Sequence, residues 1–164
     1  MKIRVSQLKD GHHTFRTSEK ASHFGLDDAQ RYAQNVDVTV ELDKRGQTYY
    51  LQEIVHTVAR FQCDRCLDPF SQTLDADYRV IYTSDRSFVE MDEDIRFIAP
   101  DESEIDITDD IRETVLLAVP IKLLCKQDCK GLCPNCGANL NYEHCNCQTH
   151  SIDPRWEALK KLLE

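Results

Sequence analysis

Between residues 36 and 43 apolar and polar side chains alternate without a break, Val36, Val38, Val40 and Leu42 against Asp37, Thr39, Glu41 and Asp43. A period of two belongs to a strand with one buried face. Lys44-Arg45-Gly46-Gln47 supplies a turn, and residues 48–61 read as a long return strand, so a hairpin is predicted. Residues 71–83 read as a further strand, with Phe70, Leu74, Tyr78, Val80 and Tyr82 as its apolar positions. Cys63-Asp64-Arg65-Cys66 stands between these two strands, and Asp68-Pro69 breaks the chain after it. The cysteine pair is therefore expected in the turn of a second hairpin. Residues 1–8 form a first strand candidate, with Ile3 and Val5 set against Lys2 and Arg4, whereas the polar residues 11–25 read as a loop.

After residue 107 the period becomes helical. Thr108 is placed to cap a helix with Asp109 and Asp110 in its first turn and Ile111, Val115, Ala118 and Val119 at three- and four-residue spacing; Pro120 stops it. Residues 125–147 hold little apolar content beyond Leu132, Leu140 and Tyr142, too little for a core of their own. Asp153-Pro154-Arg155-Trp156 then opens a last helix, proline suiting the first helical position, with Trp156, Leu159, Leu162 and Leu163 on one side. The expected fold is α+β: an antiparallel β-sheet body with a packed helix (residues 1–124), a zinc-knuckle-like module (125–150) and a C-terminal helix (151–164).

The eight cysteines fall as four close pairs: Cys63/Cys66, Cys125/Cys129, Cys133/Cys136 and Cys145/Cys147. Zinc takes thiolates in tetrahedral geometry, and a structural site closes all four positions with protein, so eight thiols suit two zinc ions. In Gly131-Leu132-Cys133-Pro134-Asn135-Cys136-Gly137 the glycine after Cys-x-x-Cys lets the backbone curl and aim N–H groups at both sulfurs, as in a zinc knuckle. Disulfides belong to oxidising compartments, and Met1-Lys2-Ile3-Arg4-Val5 has neither an apolar signal region nor a cleavage site. A redox Cys-x-x-Cys opens a helix after a strand, unlike the hairpin setting of Cys63 and Cys66. His12, His13 and His23 are not needed as ligands, since cysteines already fill both sites.

The chain has 164 residues, enough for one core and an appended module. Its longest apolar tract, 115–125, is broken by Pro120 and Lys122 and is too short and polar to span a bilayer. A cytoplasmic protein without membrane contact is expected. The net charge of -9 is concentrated: residues 63–110 sum to -11, and the flanking parts to +1 each. Glu90-Met91-Asp92-Glu93-Asp94 and Asp101-Glu102-Ser103-Glu104 read as solvated loops, or as a patch for a basic partner such as a ribosomal protein. Overall acidity argues against loose coating of nucleic acid, so any RNA contact has to be local. The candidate RNA or partner surface is Arg65, Lys122, Lys126, Lys130 and Arg155, grouped around the cysteine turns. The competing reading is that these side chains offset the charge of two tetrathiolate centres.

No phosphate-binding loop, His-Glu-x-x-His or Gly-x-Ser-x-Gly occurs. A catalytic zinc also keeps an open position, which two sets of four thiolates do not offer. The chain therefore reads as no enzyme and as having no small-molecule substrate; the alternative is a zinc- or thiol-dependent hydrolase or oxidoreductase.

Taken in order, these motifs form a recognisable series: Cys63-Asp64-Arg65-Cys66-Leu67 in a hairpin, an acidic stretch, a helix ending in Val119-Pro120, the string from Gly131 through Ala138-Asn139-Leu140-Asn141, and Asp153-Pro154-Arg155-Trp156. The series resembles the YceD family, the large ribosomal RNA subunit accumulation proteins, most strongly over residues 61–163. The resemblance implies a non-enzymatic cytosolic factor for accumulation or maturation of large-subunit (23S) ribosomal RNA. Its implied partners are that RNA or its precursor particle, with a large-subunit ribosomal protein as a further candidate. It also implies one site from Cys63, Cys66, Cys125 and Cys129 and another from Cys133, Cys136, Cys145 and Cys147. Spacing alone equally permits Cys125/Cys129 with Cys133/Cys136, leaving Cys145/Cys147 for the hairpin pair.

Overall fold

The computed structural model describes residues 1–89 and 94–147. Two compact units divide the chain: Met1–Phe61 with Phe70–Ile121, and Gln62–Pro69 with Lys122–Glu164. The helix expected at 151–164 lies outside the described residues.

The first unit is α+β. Its elements are β1 (Lys2–Arg4), β2 (Gly11–Lys20), a 3-10 turn (Ala21–Phe24), β3 (Asn35–Arg45), β4 (Thr48–Gln62), β5 (Pro69–Thr83), α1 (Arg86–Val89), β6 (Ile95–Phe97), β7 (Glu104–Asp106) and α2 (Thr108–Leu117). One sheet runs β2-β3-β4-β5-β6 and a small one pairs β1 with β7. β3 and β4 pair antiparallel in the register Val38↔Val55, Val40↔Glu53 and Leu42↔Leu51, closed by a two-residue turn. The turn begins at Gly46 with φ 61°, the position where a type II′ hairpin takes glycine. β6 lies parallel to β5, with Ile81↔Ile95 and Thr83↔Phe97, so the sheet is mixed at that edge.

One face of the sheet is apolar: Val36, Val38, Val40 and Leu42 of β3, Leu51, Val55, Ala59 and Phe61 of β4, and Leu74, Val80 and Tyr82 of β5 are all buried. α2 turns Ile111 and Val115 inward. Its Asp110 accepts a hydrogen bond from the Tyr82 hydroxyl at 2.9 Å and pairs with Arg96 of β6. Glu53 lies on the same buried face, fully enclosed, and neither of its carboxylate oxygens has a hydrogen-bond partner among the described residues. Burial, and secondarily the negative charge of Asp110, push its carboxyl up to about 8, against the opposing pull of Arg96.

Three expectations, for residues 11–25, Thr108 and residues 1–8, need correction, and two short strands answer to no expectation. Residues 11–25 are not a loop: β2 pairs along its full length with β3, from Gly11↔Lys44 to Lys20↔Asn35. As an edge strand it needs no apolar run, and its inward positions, including His13, Thr17 and Glu19, are only half buried. Thr108 does not cap α2; Ile107 holds that place with no side-chain cap, and the Asp106 carboxylate accepts from the Thr108 backbone N–H at 3.0 Å. The acidic middle contributes β6 and β7, whose three-residue lengths are below what a period can reveal. Met1 to Leu8 supplies only the short β1.

Candidate metal centres

Both cysteine sets lie in the second unit, built from two turns of the same form. In the first, the Leu67 N–H donates to the Cys63 carbonyl and the Cys63 N–H to the Asp68 carbonyl, each at 2.9 Å. In the second, Gly137 donates to Cys133 at 2.9 Å and Cys133 to Ala138 at 2.8 Å. The residue after the second cysteine is left-handed in both, with φ 62° at Leu67 and 74° at Gly137. This curl places both sulfurs of each Cys-x-x-Cys on one side.

Side chains and close backbone contacts fasten the remaining ligand loop to the first turn. Asp64 exchanges two bonds with Leu123, its N–H donating to the Leu123 carbonyl at 2.8 Å and its carboxylate accepting from the Leu123 N–H at 2.7 Å. That clasp sets the approach of Cys125. The Arg65 guanidinium donates to the Cys129 carbonyl at 2.9 Å. Gly131, with φ 76°, passes so close to Arg65 that a Cβ there would meet the Arg65 carbonyl oxygen at 3.1 Å. The Asn139 amide donates to Asp68 at 2.9 Å. Asn141 donates to the Cys129 sulfur at 3.4 Å, while its carbonyl oxygen accepts from the Lys130 N–H at 3.0 Å. Asp64, Asp68, Asn139 and Asn141 were legible in the sequence only as parts of the motif strings; nothing in spacing assigns them these bonds.

The structure brings Cys63, Cys66, Cys125 and Cys129 together, and separately Cys133, Cys136, Cys145 and Cys147, the four sulfurs of each set lying within 4.8 Å of one another. All eight are free thiols. In the first set the sulfurs of Cys63 and Cys129 are 3.8 Å apart and those of Cys66 and Cys125 3.6 Å. In the second, Cys136 and Cys145 are 3.4 Å apart and Cys133 and Cys145 3.3 Å. Metal–sulfur bonds of about 2.3 Å in a tetrahedron put sulfurs about 3.8 Å apart. Disulfides would require about 2.05 Å. The spacing thus fits one ion per set, the second being slightly contracted.

Electrostatics points the same way. Burial works to raise the Cys63 thiol, yet backbone N–H groups of Cys125, Cys66 and Arg65 bring it down to about 6. Cys133 is likewise lowered to about 6, chiefly by backbone hydrogen bonds from Cys136 and Asn135. Cys147 is pushed up to about 12 by the neighbouring thiols of Cys145 and Cys136. Against its burial, Cys129 is also lowered, by the Asn141 side chain and the Gly131 N–H, whereas Cys66, Cys125 and Cys145 are raised. The first thiolates of each set thus oppose the later ones, and a cation at the centre removes that conflict. The sets differ in access: Cys63, Cys66 and Cys129 are buried and Cys125 half-buried, whereas Cys133 is buried, Cys145 and Cys147 half-buried and Cys136 exposed.

Of the basic residues singled out, Lys122, Lys126 and Lys130 are exposed; Arg65, also exposed, spends its guanidinium on Cys129; and Arg155 lies outside the described residues. His12, His13 and His23 belong to neither set: His12 faces Asp43 at 3.6 Å, His13 the Lys9 carbonyl at 2.8 Å and His23 Glu19 at 3.1 Å. No helix among the described residues is long and apolar enough to cross a membrane.

Known proteins place this arrangement. No solved structure matches the chain. It is 26% identical to the chloroplastic large ribosomal RNA subunit accumulation protein YCED homolog 1 of Arabidopsis thaliana, over 90% of this chain and 56% of that protein. The Zea mays protein of the same name is 28% identical, over 70% of this chain and 49% of that one. An uncharacterized protein of Mycobacterium tuberculosis is 31% identical over 62% of this chain and 49% of its own length. The chain thus spans about half the length of these curated relatives. The family profile described as large ribosomal RNA subunit accumulation protein YceD matches residues 51–163, from mid-β4 through both cysteine sets. The chain belongs to the YceD family.

Proposed function

We propose that this chain is a non-enzymatic, zinc-stabilised factor that supports accumulation or maturation of large-subunit (23S) ribosomal RNA in the cytoplasm. The observation that carries the reading is the joining of family membership with two four-thiolate sets of the right size for a metal. Zinc fits better than a redox metal as the resident ion, because four-thiolate closure leaves no position for substrate and suits a structural role. Iron in the same tetrahedral set is the competing occupant, and its colour distinguishes it. Each ion would tie separate chain segments of the second unit, which has few apolar residues to hold itself together.

The contact surface toward the ribonucleoprotein is the set Arg65, Lys122, Lys126, Lys130 and Arg155. The three lysines are its movable part, since Arg65 is also tied to the ligand loop. With about three to five phosphate contacts, association should weaken by about one to three decades between 50 and 200 mM salt.

Co-sedimentation of the tagged full chain with large-subunit precursor particles tests this reading. The parent should travel with the particles at low salt, and the triple variant Lys122→Ala, Lys126→Ala, Lys130→Ala should not, with metal content unchanged. Equal co-sedimentation of both would remove the lysines from the contact. Unchanged levels of large-subunit ribosomal RNA in cells lacking the protein would remove the function itself.

A further inference from the structure

We propose that the second cysteine set is a peroxide-reactive site, in which Cys136 is oxidised first, Cys145 resolves it to a disulfide, and the metal is expelled while the first set keeps its own. The proposal rests on the metal reading above and adds to it a chemical difference between the two centres.

The difference begins with access. A metal-bound thiolate still carries the electron pair that attacks a two-electron oxidant, so reactivity follows which sulfur the oxidant reaches. In the first set three cysteines are buried; in the second Cys136 is exposed. The first set is also clasped from outside by Asp64, Arg65 and Asn141, through bonds to Leu123, the Cys129 carbonyl and the Cys129 sulfur. Those contacts hold its ligand loop in place against the opening that oxidation requires.

Geometry then offers a partner among the three other sulfurs within 4.8 Å. The Cys145 sulfur stands 3.4 Å from that of Cys136. The Cys136 thiolate attacks one oxygen of hydrogen peroxide; the O–O bond breaks, hydroxide leaves and is protonated by solvent, and Cys136 becomes a sulfenic acid. The Cys145 thiolate attacks the Cys136 sulfur, an S–S bond forms, the S–O bond breaks, and a second hydroxide leaves to be protonated. Two electrons pass from two thiolates to one peroxide, giving two waters. Cys133 and Cys147 remain as two ligands of the four. Two thiolates do not close a tetrahedral site, so the ion leaves.

The experiment uses the full chain, purified reduced and without chelator, with its metal counted by elemental analysis. Hydrogen peroxide is added in small excess; released zinc is followed with a chromogenic chelator, and disulfides are mapped by proteolysis and mass spectrometry. The expected result is two ions per chain at the start, one released about ten-fold or more faster than the other, a Cys136–Cys145 linkage at that point, and reversal by thiol reductant plus zinc. Release of both ions at one rate, a first disulfide within Cys63, Cys66, Cys125 and Cys129, or retention of both ions overturns the proposal. A reduced preparation without metal overturns the zinc reading instead. The Cys136–Cys145 map then still decides the thiol chemistry, because the pairing needs only the two sulfurs. Cys145→Ser should slow disulfide formation and leave a Cys136 sulfenic acid for a dimedone probe; should that variant fail to fold, the map of the parent chain stands alone as the test.

Discussion

Leu67 and Gly137 hold the same place in two turns of the same build, both left-handed, at φ 62° and 74°. A side chain in that region costs about 1–2 kcal/mol, a cost glycine escapes. Leu67 is half exposed, so its side chain recovers little of this through packing. The first turn keeps its shape because the bonds around it, from Cys63 to Asp68 and from Gln62 to the Leu67 carbonyl at 3.0 Å, fix the backbone from both sides.

Leu67→Gly should therefore stabilise the metal-loaded protein by about 0.5–1 kcal/mol, the relief being partly offset by the freedom glycine gains in the unfolded chain. Equilibrium denaturation against the parent measures it. A loss of stability would show that the leucine side chain has a contact that matters more than its backbone angle.

The left-handed glycines of the second unit, Gly131 and Gly137, should respond unequally to alanine. At Gly137 an added Cβ meets nothing within 4 Å among the described residues, so Gly137→Ala should cost only the conformational amount, about 1 kcal/mol. At Gly131 the Cβ would press on the Arg65 carbonyl oxygen at 3.1 Å, so Gly131→Ala should cost more and also loosen the ligand loop. Comparing the two variants by denaturation and by metal retention against a chelator checks the ranking; equal losses would contradict the close approach.

Asn141 gives a metal-specific expectation. Asn141→Ala removes the donor to the Cys129 sulfur and the acceptor of the Lys130 N–H. Loss of such an outer contact lowers metal affinity about 10- to 100-fold. Chelator competition should show one ion weakened and the other, held by Cys133, Cys136, Cys145 and Cys147, unchanged.

Glu53 sets a pH dependence in the first unit. Its folded value of about 8 lies above the ordinary 4.5, so the folded state holds the proton more tightly. Its contribution to stability is full below about pH 4.5 and is lost as pH rises through about 8, a change on the order of a few kcal/mol. Glu53→Gln keeps the shape without the titration and should flatten the stability curve across that window, with its largest gain at the alkaline end. Parallel curves for parent and variant between pH 5 and 9 would mean that water or a rearranged partner already satisfies the carboxylate.

Tyr82→Phe should cost about 1–2 kcal/mol by removing a buried donor from Asp110, which Arg96 alone then faces. Thermal or chemical unfolding at neutral pH checks it. Above about pH 8, where Glu53 loses its proton, the cost should grow, and it should shrink again in the Glu53→Gln background, if the negative charge of Glu53 beside Asp110 is what makes the donor valuable.

By itself the sequence determined the parts that depend on neighbours along the chain. The alternation in residues 36–61 and Gly46 specified the β3–β4 hairpin, because side-chain period and turn conformation are local properties. Gly137 after Cys-x-x-Cys specified the curl of the second turn for the same reason. The tertiary structure decided what depends on distant segments. β2 became a strand because the long edge of β3 offered its backbone a partner, although its own residues read as loop. Leu67 took a glycine's conformation because bonds on both sides of the turn held it there. Glu53, an inward position in a mostly apolar face, met Asp110 and Arg96 only when α2 and β6 arrived from more than forty residues away. Spacing allows more than one division of eight thiols; the clasp of Asp64 on Leu123 and the approach of Gly131 to Arg65 bring Cys125 and Cys129, rather than Cys145 and Cys147, to the hairpin pair. Loop closure is set by bonds between remote residues, and no period along the chain records those.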